Sequence, residues 1–130
     1  KDIDILGIDI SRTAIDKAKN LYPKLDFKVD NILNISQYNN FDCMFFSEIT
    51  WYLLEDKKMD KIFNIMSKNF KGKNKFFIHN LAFYKDGIQQ YGNDYFTNLD
   101  EFIEFCPFEL LEKVQVNLKD GIETSAIFKI

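Results

Sequence analysis

Ile3-Asp4-Ile5-Leu6-Gly7-Ile8-Asp9-Ile10-Ser11 is an isoleucine-rich run that reads as a buried strand. Asp9 stands near its C-terminal end, and Ser11 is placed to cap a helix. Residues 11–21 then set Ala14, Ile15, Ala18 and Leu21 on one face at helical spacing, with Lys17 and Lys19 facing outward. Pro23 closes that helix. A buried strand feeding directly into an amphipathic helix is the repeating unit of an α/β sheet.

Further along, strand and helix signals keep alternating. Residues 26–29 (DFKV) form a short strand with Asp30-Asn31 at its end, and residues 34–40 are polar and turn-rich. Residues 41–46 (FDCMFF) read as another buried strand, ending at Ser47-Glu48. Residues 52–70 make the longest helix candidate, with Leu53, Leu54, Met59, Ile62, Phe63, Ile65, Met66 and Phe70 on its apolar side. Lys71-Gly72-Lys73 ends it. Residues 75–79 (KFFIH) are a fourth strand, ending at His79-Asn80. A long connection over 81–98 carries Phe83, Tyr84, Tyr91, Tyr95 and Phe96, and a connection of that length reads as a lid or binding loop. A short helix over 99–105, capped by Thr97 or Asn98, precedes two strands, 108–116 and 124–130, joined around Asp120-Gly121 as a hairpin. The expected fold is a Rossmann-like α/β domain spanning 1–130, with a mostly parallel sheet, helices on both faces and a C-terminal antiparallel hairpin.

Composition narrows the function classes. The apolar fraction of 46%, with 14 Phe and 6 Tyr, gives a packed core rather than a disordered chain. Seventeen basic and 20 acidic residues leave a net charge of −3 with both signs interspersed. There is no electrostatic footprint for nucleic acid or an anionic membrane. No apolar run approaches the roughly 20 residues that span a bilayer. Cys43 and Cys106 are far apart in sequence and read as reduced thiols, which points to the cytoplasm. One histidine and two separated cysteines offer no metal-binding spacing.

Candidate site residues follow from strand ends. In open α/β sheets, ligands sit beyond the carboxyl ends of the strands, and an acid there takes a ribose hydroxyl pair. Asp9 fits that role; the plainer alternative is a solvated acid at a strand end. Ile10 is placed either to cover a nucleobase or to pack in the core. His79, the single histidine, ends a strand on the same edge, where an imidazole titrating near neutrality can act as a base. A structural histidine is the alternative. Tyr84, Tyr91 and Tyr95 either close over a substrate or simply pack on the core.

The segments GIDIS at 7–11, FKVDN at 27–31, FDCMFFSE at 41–48 and the terminal hairpin together resemble class I S-adenosylmethionine-dependent methyltransferases. The run 47–54 (SEITWYLL) resembles that of small-molecule members, including nodulation protein S-like and type 12-like ones. The resemblance implies S-adenosylmethionine as cofactor, with Asp9 on the ribose, Asp30 on the adenine amino group and the Asn31 amide on a ring nitrogen. It implies that Ser47 and Glu48 open onto the cofactor and the reacting end, and that Trp51 and Tyr52 wall the substrate pocket, their aromatic faces favouring a cation. It also implies that the family's first strand, first helix and Gly-rich loop have no counterpart in this chain. That strand would lie centrally, between the strands at 3–10 and 41–47, and without it backbone groups would be orphaned. Direct pairing across the gap, a partner chain, or upstream residues would resolve this, and upstream residues are the expectation.

The expected function is methyl transfer to an oxygen or nitrogen of a small molecule, with Glu48 and His79 at the reacting end. As a fragment the chain is expected to be impaired in cofactor binding. Two rivals stand beside it: an NAD-dependent oxidoreductase, which also places an acid after its second strand, and a non-catalytic α/β interaction module that dimerises through exposed sheet edges.

Overall fold

The structure is a computed structural model that describes residues 3–70, 72, 74–84 and 95–130. Among these residues six strands and three α-helices follow in order: β1 (Leu6–Asp9), α1 (Arg12–Leu21), β2 (Asp26–Val29), β3 (Cys43–Ser47), α2 (Lys58–Asn69), β4 (Phe76–Tyr84), α3 (Leu99–Phe105), β5 (Glu109–Asn117) and β6 (Gly121–Lys129). The Ser11 hydroxyl accepts the Ala14 N–H and caps α1, as its position beside the first strand suggested.

The strands form two sheets. β1 and β2 pair in parallel, Asp9 opposite Val29. The other sheet has the order β3-β4-β6-β5, with β3 and β4 parallel and the remaining pairings antiparallel. The mixed α/β architecture with a closing hairpin is therefore present. The gap expected between the first and third strands stays open: β1 and β3 each pair along one edge only among the described residues.

One face of the larger sheet carries the core. β4 alternates strictly, burying Phe77, His79, Leu81 and Phe83. Ala126 and Phe128 of β6 sit opposite His79 and Phe77, and Phe46 of β3 is on the same face. Met59, Ile62, Phe63 and Met66 of α2, with Leu99 and Phe102 of α3, close over them. Rings meet largely edge-on, as at Phe63–Phe77 and Phe77–Phe108. The opposite face is much less covered: Phe45 of β3 is 62% exposed.

Four expected boundaries move. The helix expected over 52–70 is two 3-10 turns, Thr50–Leu53 and Glu55–Lys57, before α2, because Asp56 and Lys57 both adopt left-handed backbone and break the ladder. The fourth strand runs on to Tyr84, because residues 80–84 pair with 121–125 of β6. That extension also moves the start of β6 from 124 to Gly121. The polar stretch at 34–40 lies largely in a 3-10 helix, Ile32–Tyr38, which buries Ile35 and Tyr38.

Candidate active site at the strand ends

Asp9 and Asp30 are brought together. They follow the two paired strands β1 and β2, and the Asp30 N–H donates to the Asp9 carbonyl at 3.0 Å. Asp9 is exposed, and its Oδ1 accepts the Ser11 N–H at 2.6 Å. Its other oxygen has no partner among the described residues, so it can accept a hydroxyl from solution. Ile10 beside it is 73% exposed, which removes the core role and leaves its side chain open at the strand end.

Asp30 is in a different condition. Its side chain is only 10% exposed, and both oxygens are engaged. Oδ1 accepts the Asn31 N–H and the Asn34 amide, each at 2.7 Å. Oδ2 accepts the Tyr38 hydroxyl and pairs with the Lys28 ammonium at 2.9 Å, and Lys28 also donates to the Tyr38 oxygen at 3.0 Å. The Tyr38 hydroxyl, then Lys28, Asn34 and the Asn31 amide, hold the Asp30 carboxyl well below the usual carboxylate range. Tyr38 and then Asp30 raise Lys28 correspondingly. An adenine amino group would have to exchange with one of these donors. The Asn31 amide is likewise committed to Asp30, while its side chain caps the following 3-10 helix through the Leu33 N–H at 2.9 Å. Sequence reading missed Lys28, Asn34 and Tyr38. Asn34 and Tyr38 lie four and eight residues beyond Asp30, in a stretch that read only as polar turn.

At the end of β3, Ser47 is exposed and lies opposite Asn80. Glu48 has left-handed backbone, φ 55°, an unusual state for a residue with a Cβ. Its N–H donates to the Asn80 carbonyl at 3.0 Å, and its Oε1 accepts the Ala82 N–H at 2.7 Å. The side chain thus extends the β3–β4 ladder by one more bond. Burial raises the Glu48 carboxyl, the Ala82 N–H opposes that rise, and Glu123 adds to it.

Trp51 packs against Phe83 and Phe96, centroids 5.7 and 5.4 Å away, so it is anchored to the core while partly exposed. Tyr52 next to it is 77% exposed. Tyr84 and Tyr95 are also exposed, whereas Tyr91 lies outside the described residues.

His79 does not end a strand. It sits in the middle of β4, fully buried, stacked on Phe102 with centroids 3.7 Å apart and planes 10° from parallel. Its Nε2 lies 2.7 Å from the Thr50 hydroxyl, and Nδ1 has no hydrogen-bond partner among the described residues. Burial pushes the imidazole down to about 3. Among the described residues the ring is closed off from solvent. Thr50 was not anticipated, and nothing in the local sequence marks it.

Among the described residues, no group of three or more His, Cys, Asp or Glu is arranged to hold a metal ion. No helix among the described residues is long and apolar enough to cross a membrane. Cys43 and Cys106 are free thiols.

No protein-family model matches the sequence, and no curated protein matches it. Solved structures do match. The N-methyltransferase NodS from Bradyrhizobium japonicum WM9 superposes with a TM-score of 0.72 at 18% identity, covering 96% of this chain and 72% of NodS. Its complex with S-adenosyl-L-homocysteine gives 0.72 at 17% identity, with 96% of this chain against 65% of that one. A TehB-like S-adenosylmethionine-dependent methyltransferase from Corynebacterium glutamicum gives 0.63 at 18%, covering 96% and 67%. This chain has the class I S-adenosylmethionine-dependent methyltransferase fold. It spans about two thirds to three quarters of the NodS and TehB-like chains it matches.

Proposed function

We propose that the chain is the larger part of a methyltransferase that moves a methyl group from S-adenosylmethionine to an oxygen or nitrogen of a small molecule. The observation that carries this is Asp9, a strand-end acid with one free oxygen, set beside Asp30 in a fold that superposes on methyltransferases over 96% of its length. A nucleoside ribose fits Asp9, since a carboxylate oxygen accepts hydroxyl donors. Ile10 covers the base from its exposed position. Asp30 and Asn31 meet the adenine edge once a nucleobase donor replaces Asn34 or Lys28. S-adenosylmethionine, when bound, supplies an activated methyl group on a sulfonium.

The chain's own residues then bind and orient, which is where most of the rate enhancement of such a transfer lies. Ser47 and Glu48 border the reacting end, Trp51 and Tyr52 wall the acceptor pocket, and the exposed Tyr84, the last residue of β4, and Tyr95 are assigned to the same pocket. Glu48, with its raised carboxyl, is the group available to take a proton from the acceptor. The buried His79 has a positioning role instead. A strand inserted between the open edges of β1 and β3 would complete the sheet, and cofactor binding by these 130 residues alone is expected to be weak. Free thiols at Cys43 and Cys106 suit a reducing compartment such as the cytoplasm.

An interaction module is the second reading, favoured by the edges of β1 and β3 that carry no strand among the described residues and by the exposed Phe45 of β3. Thermal denaturation of the natural protein with S-adenosylhomocysteine separates the two. The enzyme reading expects a rise in melting temperature that Asp9→Ala abolishes. A tight dimer with no ligand-induced rise would refute it in favour of the module.

A further inference from the structure

We propose that Thr50 and His79 form a buried latch that positions the Glu48–Trp51 turn against β4. Both side chains are fully buried, and their one mutual contact, 2.7 Å between Oγ1 and Nε2, joins the residue two places beyond Glu48 to the middle of β4. The same turn meets β4 at three further points: Glu48 N–H on the Asn80 carbonyl, Ala82 N–H on Glu48 Oε1, and the Trp51 ring on Phe83. Such convergence is what a left-handed glutamate requires, because a strained backbone persists only where its surroundings over-determine it.

The choice of residue at 79 supports the same conclusion. The pocket is apolar, with Phe77 and Phe102 beside the ring, and a phenylalanine would stack on Phe102 without a polar cost. Histidine brings two ring nitrogens into that core and satisfies one of them, whichever tautomer it holds. The bond to Thr50 is what the imidazole adds over a phenyl ring. Thr50 and His79 touch no ligand; they act through the turn that bears Glu48 and Trp51, and only the purpose of that turn rests on the methyltransferase reading.

Trp51 is the single tryptophan in the chain, so its fluorescence reports on the turn directly. The expected result for Thr50→Val, and for His79→Phe, is a red-shifted Trp51 emission and stronger acrylamide quenching with the far-ultraviolet circular dichroism unchanged. Thr50→Ser keeps the hydroxyl and is expected to restore the wild-type signal. Ile15→Ala, in α1, is expected to lower the melting temperature without moving Trp51. Wild-type emission and quenching in Thr50→Val and His79→Phe would overturn the proposal, as would Thr50→Ser behaving like Thr50→Val. Loss of cooperative unfolding in both deletion variants, with Thr50→Ser folded, would also overturn it, since the bond would then serve the whole fold rather than one turn. None of these readouts uses a cofactor, so failure here is separable from failure of the proposed function.

Discussion

Replacing Glu48 by glycine and, separately, by alanine tests whether the turn after β3 is held in strained backbone. Both substitutions delete the bond from the Ala82 N–H to the Glu48 carboxylate. A hydrogen bond to a charged acceptor in a partly exposed site contributes about 1–1.5 kcal/mol, and both variants lose it. They differ in the backbone. Alanine keeps the left-handed penalty of roughly 1–2 kcal/mol at φ 55°, which glycine does not carry. Glycine gives back about 0.4–1 kcal/mol through a freer unfolded chain. The net expectation is that Glu48→Gly is more stable than Glu48→Ala by about 0.5–1 kcal/mol, the reverse of the usual order. For a chain of this size that is a melting-temperature difference of about 2–4 °C. Urea denaturation followed by circular dichroism, with equal slopes in the two variants, reads it directly. Glu48→Ala equal to or more stable than Glu48→Gly would refute the left-handed turn, and with it the geometry assigned to the reacting end.

Further outcomes are expected elsewhere in the molecule. Gly121→Ala sets a Cβ 2.5 Å from the Phe83 carbonyl oxygen, a backbone atom that cannot swing away, and should cost about 1–3 kcal/mol in urea denaturation. Phe77→Ala empties the centre of the buried face and should cost about 3–5 kcal/mol, a large share of a domain's stability, read as a lower urea midpoint by circular dichroism. The His79 imidazole falls from 6.5 to about 3 on folding, so the unfolded chain binds the extra proton between those values. Its stabilising share is complete above 6.5 and is lost as pH falls toward 3; His79→Phe should flatten the stability profile in that window. Asp30 is likewise lowered on folding, so its contribution is present above the ordinary carboxylate range and is lost in stronger acid. Asp30→Asn should reduce the acid sensitivity of unfolding.

Much of the architecture could be read from periodicity. The amphipathic helix over 11–21 and the terminal hairpin lie close to their expected places, because each signal is local, whereas the first strand covers only Leu6–Asp9 of its isoleucine-rich run and buries none of its residues. The errors arise where distant partners decide. Residues 80–84 look like the start of a connection until β6 is available to pair with them. The expected helix over 52–70 loses its first turns at Asp56 and Lys57, where backbone conformation overrides an apolar pattern. Asp9 was nominated by strand-end position and Asp30 by the family resemblance, and the pairing of β1 with β2 is what brings the two together. The saturation of Asp30 was not legible, since it needs Tyr38 and Lys28 folded back onto it. His79 was read as a strand-end base because the strand was taken to stop there; five further paired residues and Thr50 turn it into a core group.

Calorimetric titration of the natural protein, in full length, with S-adenosylhomocysteine and with NAD tests the proposed cofactor most directly. The expected result is saturable binding of S-adenosylhomocysteine, weakened in Asp9→Asn, and no heat with NAD. Saturable NAD binding without S-adenosylhomocysteine binding would contradict it.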